Sequence, residues 1–418
     1  MKILLLVHQF YPESWSGTET VTLRLASMMQ KYGHQVTVLT YSLKENEYFD
    51  RDINGILIKK YTYSSIPVVA FKHENIPASL DGSLGDPELT DIADKILMRE
   101  KPDIIHAIHS MRVNELLFSA LKLKIPYIIT LTDFWYICPR FTLVNSKGVF
   151  CLGPETGRIC AQNCPEYESE YIINRLKSSQ KILNGAQRII SPSKFVADNL
   201  KKEFSDLEIQ IINHGMRSNY VQPNKRVYKT GDELVFGFAA SFSPLKGLHM
   251  LIEALKRINS PKVRLKIYGG GPDRQYSEQL LKMAKDEKRI EFCGVYHSSK
   301  TGEIFSKLDV MVVPSICYEN YPLTLHEALA CNVPVITSNI GGMAEAIKDG
   351  FSGFTFQVGD IESLKSAMEK IIDNPPVLND IKSNLKNLFR NTIEQEAYAY
   401  DTIYYDVLKN SQTSPDEP

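Results

Sequence analysis

The chain holds 418 residues, of which 43% are apolar and 23% charged, a balance of an ordinary globular protein that excludes a disordered or fibrous one. That length is more than one hydrophobic core usually serves, so two domains of roughly 150 to 200 residues are expected. A net charge of -1 excludes a polybasic nucleic-acid binder and leaves local basic faces as the only attraction to phosphates or membrane surfaces.

An apolar run at 3–7 opens the chain and stops at His8. It is too short for a secretory segment or a membrane span and reads as a strand, so the expected location is cytoplasmic, with peripheral contact at the inner face of the cell membrane the only membrane association foreseen. The following loop, HQFYPESWSGTET, places Gly17 just before a helix marked by Val21, Leu25, Met28 and Tyr32 and ended by Gly33. Unpaired amides and the helix dipole at such a start favour an anion such as a diphosphate, although turns also need glycine for its backbone freedom. Further strands at 36–40, 103–107, 127–131 and 188–191 alternate with helical patterns, which predicts a parallel sheet covered by helices. His106 and His109 fall at the carboxyl end of one of these strands, where such folds bind ligands.

Cys138, Cys151, Cys160 and Cys164 crowd into one Gly- and Pro-containing loop at about 138–164. Four thiolates there suit a structural zinc, with a disulfide or unpaired thiols as the alternatives. Between Lys194 and Phe204 basic and apolar residues interleave. That pattern fits a helix packed on the sheet, or one resting on an anionic membrane.

A polar stretch at 216–233 carries no sustained period and marks a domain boundary after 1–215. Strands at 235–239, 264–268, 290–292, 309–313 and 335–338 then restart the alternation across 234–392. The expected fold class is α/β, two Rossmann-like doubly wound domains facing across a cleft. Lys246 follows the first strand of the second half, where a cation can stabilise a departing nucleotide. Gly269, Gly270 and Gly271 before Pro272 form a tight strand exit, not the dinucleotide fingerprint. Glu319 and Glu327 stand eight apart around Pro322, which can open a helix. A span of ~12 Å or more fits two carboxylates serving different parts of one ligand. Closer groups would be needed to cleave one bond between them. With no Asp-x-Asp motif in a convincing place, metal-independent chemistry is expected.

Glu319, Pro322 and Glu327, with Gly341, Gly342 and Glu345 downstream, resemble the donor region of the retaining glycosyltransferases of family 4, of GT-B architecture. The resemblance extends over most of the chain and into a subgroup carrying a cysteine-bearing loop after an Asp-Phe-Trp segment. It implies a metal-independent hexosyltransferase moving sugar from a UDP- or GDP-sugar to a glycan or lipid-linked acceptor, in cell-surface polysaccharide or glycoconjugate synthesis. By the same resemblance Gly17, Ser241, Lys246, Gly270, Asn320, Tyr321 and Leu323 join Glu319, Pro322 and Glu327 at the donor. Glu319 faces the donor sugar and Glu327 the ribose. Lys246, Glu319 and either His109 or Asp133 act at the reacting sugar. Family members commonly carry arginine where this chain has Ser241 and histidine where it has Thr132. A helix at 393–410 is expected to cross back to the first domain, with a tail at 411–418. Two rivals follow: a nucleotide-sugar epimerase of the same fold, and a catalytically silent nucleotide-sugar-binding scaffold.

Overall fold

The apolar run at the chain's start becomes strand β1 (Lys2–Val7), whose Ile3 to Val7 are all buried, as a central strand covered on both faces requires. In the computed structural model, which describes residues 1–216, 223–388 and 391–413, β1 lies in the first of two units. That unit comprises Met1–His214 and Ile393–Pro418, and the second comprises Gly215–Thr392. Residues 217–222 of the expected linker and 414–418 of the expected tail lie outside the described residues.

The first unit also contains β2 (Gln35–Tyr41), β3 (Arg51–Ile53), β4 (Ile56–Tyr63), β5 (Ile66–His73), β6 (Ile104–Ala107), β7 (Tyr127–Thr130), β8 (Arg188–Ser191) and β9 (Ile209–Ile211). They form one sheet in the order β3-β4-β5-β2-β1-β6-β7-β8-β9. β1 is parallel to β2 on one side and to β6 on the other, with Leu5 opposite both Val38 and His106. The antiparallel edge β3-β4-β5 was not foreseen. Asn54-Gly55 joins β3 to β4 with both φ angles positive, as do Ser64 and Ser65 between β4 and β5, the backbone of tight hairpin turns. Pro67 inside β5 masks that strand in the sequence, but it sits near the hairpin end opposite Thr62.

The helix Ile393–Thr413 belongs to this first unit and runs into the stretch expected as tail. Its fully buried Tyr400 and Tyr404 join His106 and Thr130 in one network. Tyr404 Oη lies 2.6 Å from His106 Nδ1, and Thr130 Oγ1 lies 2.7 Å from His106 Nε2 and 2.9 Å from Tyr400 Oη. Burial lowers the His106 pKa to about 3, so this histidine is neutral and structural.

The second unit contains β10 (Leu234–Ala239), β11 (Val263–Tyr268), β12 (Ile290–Gly294), β13 (Val310–Val313), β14 (Val335–Ser338) and β15 (Gly353–Phe356), all parallel, in the order β12-β11-β10-β13-β14-β15. In each sheet the chain first fills one side of its first strand and then crosses to the other. The reversal falls between β1 and β6 in the first unit and between β10 and β13 in the second. Loops leaving the carboxyl ends of such strand pairs splay apart and leave a ligand crevice.

Candidate functional site

At the reversal point of the second unit, the loops after β10 and β13 are laced together. The Ile316 N–H donates to Leu245 O at 2.8 Å, and Gly247 lies where an added Cβ would meet Pro314 O at 2.0 Å. This lacing brings Lys246 and Glu319, 73 residues apart, into an ion pair of 2.6 Å. The Ser315 hydroxyl donates to the same carboxylate oxygen at 2.8 Å. Burial opposes both charges. The pairing nevertheless holds Lys246 above and Glu319 below their usual ranges, so both remain ionised.

Pro322 caps the helix Leu323–Ala330, leaving Glu319 in the preceding loop and Glu327 in the second turn. Tyr321 stacks flat on His326, with ring centroids 3.6 Å apart. Asn320 is buried, Leu323 half-buried, and the Gly342 N–H donates to Glu319 O at 2.8 Å. An added Cβ on Gly342 would fall 1.7 Å from Asn320 O, so glycine there is what lets the glutamate loop settle on the following helix. In the run after β11, Gly269 (φ +137°) and Gly271 approach the backbone of Ala240 and Phe242, while Gly270 meets only a Val295 methyl. Ser241, the position of the family arginine, is exposed.

The first unit's reversal point carries a second constellation. His8 follows β1 and His109 follows β6, and their rings lie 4.3 Å apart. The Met111 N–H donates to His109 Nδ1 at 3.2 Å, which puts the ring proton on Nε2, 2.8 Å from Asp133 Oδ2. Both His109 nitrogens are therefore engaged, whereas Asp133 keeps 27% of its side chain exposed. The Trp135 N–H holds the other Asp133 oxygen at 2.8 Å, and Thr132 Oγ1 donates to Ile108 O at 3.2 Å.

Gly17 starts the helix Gly17–Lys31, but the fully buried Glu19 already sits in its first turn. Glu19 accepts from Ser14 Oγ at 3.1 Å and from Ser16 Oγ, and lies 3.5 Å from His8 Nε2. Burial first, then His109 and Arg112, hold the His8 pKa well below the usual range. A phosphate approaching Gly17 would thus share the helix start with a carboxylate. Sequence reasoning missed Glu19 and His8, although Ser16-Gly-Thr-Glu19 has the spacing of a capping box.

The four loop cysteines line one cavity of about 20 Å³ together with Leu143, Val144 and Ile159. Burial, and then the neighbouring Cys138, Cys151 and Cys164, push Cys160 up to about 12, and burial raises Cys138 and Cys164 as well. None of the seven cysteines is joined in a disulfide. Among the described residues no three His, Cys, Asp or Glu side chains stand where they could hold a metal ion. The zinc expectation therefore meets no formed site. Crowding in sequence brought the thiols to one cavity, where burial disfavours the charged form of Cys138, Cys160 and Cys164.

In the helix Lys194–Glu203, Val196 and Leu200 are fully buried, so its apolar side faces the first unit's core and only charged groups such as Lys201 and Lys202 are exposed. Among the described residues no helix is long and apolar enough to cross a membrane.

Two family matches cover most of the chain: Glycosyltransferase Family 4 over residues 15–218 and Glycosyl transferases group 1 over residues 222–388. An uncharacterised glycosyltransferase of Methanocaldococcus jannaschii is 24% identical over 96% of both chains. The alpha-monoglucosyldiacylglycerol synthase of Acholeplasma laidlawii is 23% identical over 95% of both. The crystal structure of Anabaena HepE in complex with UDP and glucose superimposes with a TM-score of 0.70 at 18% identity, covering 97% of this chain and 100% of that one. With two parallel-sheet Rossmann-like units and these matches, the chain belongs to the family 4 glycosyltransferases of GT-B fold.

Proposed function

We propose that this glycosyltransferase moves a hexose from a UDP- or GDP-sugar to a glycan or lipid-linked saccharide, with retention of anomeric configuration, in the synthesis of surface polysaccharide or glycoconjugate. The observation that carries the reading is the 2.6 Å Lys246–Glu319 pair at the second unit's reversal point. A diphosphate arriving there would draw on the Lys246 charge, and Glu319 would be released to accept from hydroxyls of the transferred sugar. As the bond from the anomeric carbon to the phosphate oxygen breaks, Lys246 stabilises the departing charge. The acceptor oxygen bonds to the anomeric carbon and its proton passes to a departing phosphate oxygen, so no protein nucleophile is needed. Glu327 is assigned to the ribose hydroxyls. Asp133 is assigned to the reacting sugar, with His109 orienting it.

Two comparisons support the choice of substrates. HepE was crystallised with UDP and glucose, and the Acholeplasma relative is named as the synthase of a glucosylated diacylglycerol. The test is a screen of UDP-, GDP- and ADP-sugars for binding and slow hydrolysis by the native chain, Lys246→Ala and Glu327→Ala. One donor turned over by the native chain and weakened by both substitutions supports the reading. Donor turnover to an isomer without acceptor would instead support the epimerase. Binding without any turnover would support the silent scaffold, the reading favoured by the exposed Ser241 in place of a second cation.

A further inference from the structure

Arg175 lies on the helix Ser169–Gly185 of the first unit and is only 4% exposed. Among the described residues no carboxylate stands within ion-pair distance of its guanidinium. A cation withdrawn from water is costly unless its N–H groups are bonded, and a residue needed only to fill space would be apolar. The donors of Arg175 go instead to main-chain carbonyls, Nε to Gly82 O at 2.9 Å and Nη2 to Trp135 O. The guanidinium carbon also lies 4.4 Å from the centre of the Trp135 ring. A planar fork fixes directions as well as distances, so this one side chain sets two backbone segments and an indole relative to the helix.

Trp135 is in turn what holds Asp133. Its N–H donates to Asp133 Oδ1 at 2.8 Å, while His109 Nε2 occupies Oδ2 at 2.8 Å. The Trp135 N–H and carbonyl belong to the two rigid peptide groups flanking one Cα, so a grip on the carbonyl constrains where the N–H points. Ser179, one turn along the same face of the helix, repeats the grip. Its buried hydroxyl donates to Tyr136 O at 2.6 Å, and the Tyr136 hydroxyl lies 2.9 Å from Ser110 Oγ, beside His109 in the chain. Among the described residues neither carbonyl receives a backbone N–H, so side chains of this helix supply the hydrogen bonds that the loop after β7 cannot make to itself. Only Asp133 reaches solvent, with 27% of its side chain exposed, whereas Trp135, Arg175 and Ser179 behind it are buried.

We propose that Arg175 is a positioning residue for sugar transfer: from the helix Ser169–Gly185 it fixes the Trp135 backbone and thereby aims the Asp133 carboxylate, touching no substrate itself. The assignment rests on the reading of Asp133 as a group at the reacting sugar. Small displacements of such a group are costly in rate, which gives the buried fork its use.

The experiment follows hydrolysis of the donor identified by the screen, on the full chain, at a temperature well below each variant's melting transition. Arg175→Lys keeps the charge and loses the fork. It should lower kcat by about tenfold and leave the donor KM within about twofold. In an Asp133→Asn background the same substitution should lower kcat by less than about twofold further, because the support has nothing left to aim. If Arg175→Lys does not fold, Ser179→Ala takes its place, with a kcat loss of about threefold that likewise vanishes beside Asp133→Asn. An unchanged kcat in the folded variant, a loss carried by KM, or an equal loss in both backgrounds overturns the assignment and leaves the transferase reading standing. Turnover by the native chain that Asp133→Asn does not slow removes Asp133 from the reaction, and Arg175 with it. Absence of any donor turnover by the native chain removes the transferase reading itself, together with the role proposed here.

Discussion

His109 looked like the residue to meet sugar hydroxyls because it lies in a loop at a strand's carboxyl end. Of the two candidates left open, His109 has both ring nitrogens engaged by the Met111 amide and Asp133, and Asp133 keeps the more accessible side chain. Asp133→Asn should therefore lower kcat by about 10²-fold or more, whereas His109→Gln, which loses only the orienting contact, should cost about tenfold. Steady-state kinetics on the donor found by the screen checks the order, and equal losses would return His109 to direct contact. The same dependence on neighbours governs Lys246. Its charge is matched by Glu319 at rest, so Lys246→Ala leaves a half-buried carboxylate uncompensated besides removing the cation. Loss of about 10²-fold in turnover is expected, with partial recovery of stability, measured by melting temperature, when Glu319→Gln is added.

Among the elements, the short helix Gly341–Ala346 holds the glutamate loop by backbone contact, and Gly342 is the point of closest approach. Gly342→Ala must displace Asn320 and Glu319. A loss of about 1–3 kcal/mol in unfolding free energy is expected, with weaker nucleotide binding, both measurable by denaturant titration and calorimetry. The helix Ile393–Thr413 is held by apolar packing and by the Tyr404 hydroxyl on His106. Tyr404→Phe leaves His106 Nδ1 buried without that partner, and should cost about 1–3 kcal/mol on the same measurement. Several elements were legible from periodicity alone: the central strands are continuous apolar runs bounded by polar loops, and β8 and β14 fall where the pattern put them. The antiparallel edge escaped because β3 is three residues long and wholly exposed, and because Pro67 argued against β5. Asn54-Gly55, a strong local hairpin signal, was present and passed over. Glu19 escaped for a different reason: its spacing to Ser16 marks a cap, but only folding buries it beside His8.

For the molecule as a whole, the neutral His106 network sets a pH dependence. Its folded pKa of about 3 lies below the roughly 6.5 of an unfolded histidine, so the unfolded chain binds the proton first as pH falls. Stability should be unaffected by this group above about pH 6.5 and should decline by about 1.4 kcal/mol per unit from there toward 3. His8, also lowered by burial, adds in the same direction. Urea unfolding at a series of pH values measures the slope, and His106→Asn should reduce it. The fold class follows from sequence by itself, because strand periodicity and the positions of proline and glycine are local properties of the chain, and the family follows from the motif resemblance around Glu319, Pro322 and Glu327. The pairing of Lys246 with Glu319, the occupation of both His109 nitrogens, the carboxylate at the first helix's start and the meeting of the four clustered thiols in one cavity were decided only by tertiary structure. Each depends on which distant group ends up within a few ångströms and on how much water burial removes, and neither quantity is written in any local stretch of sequence.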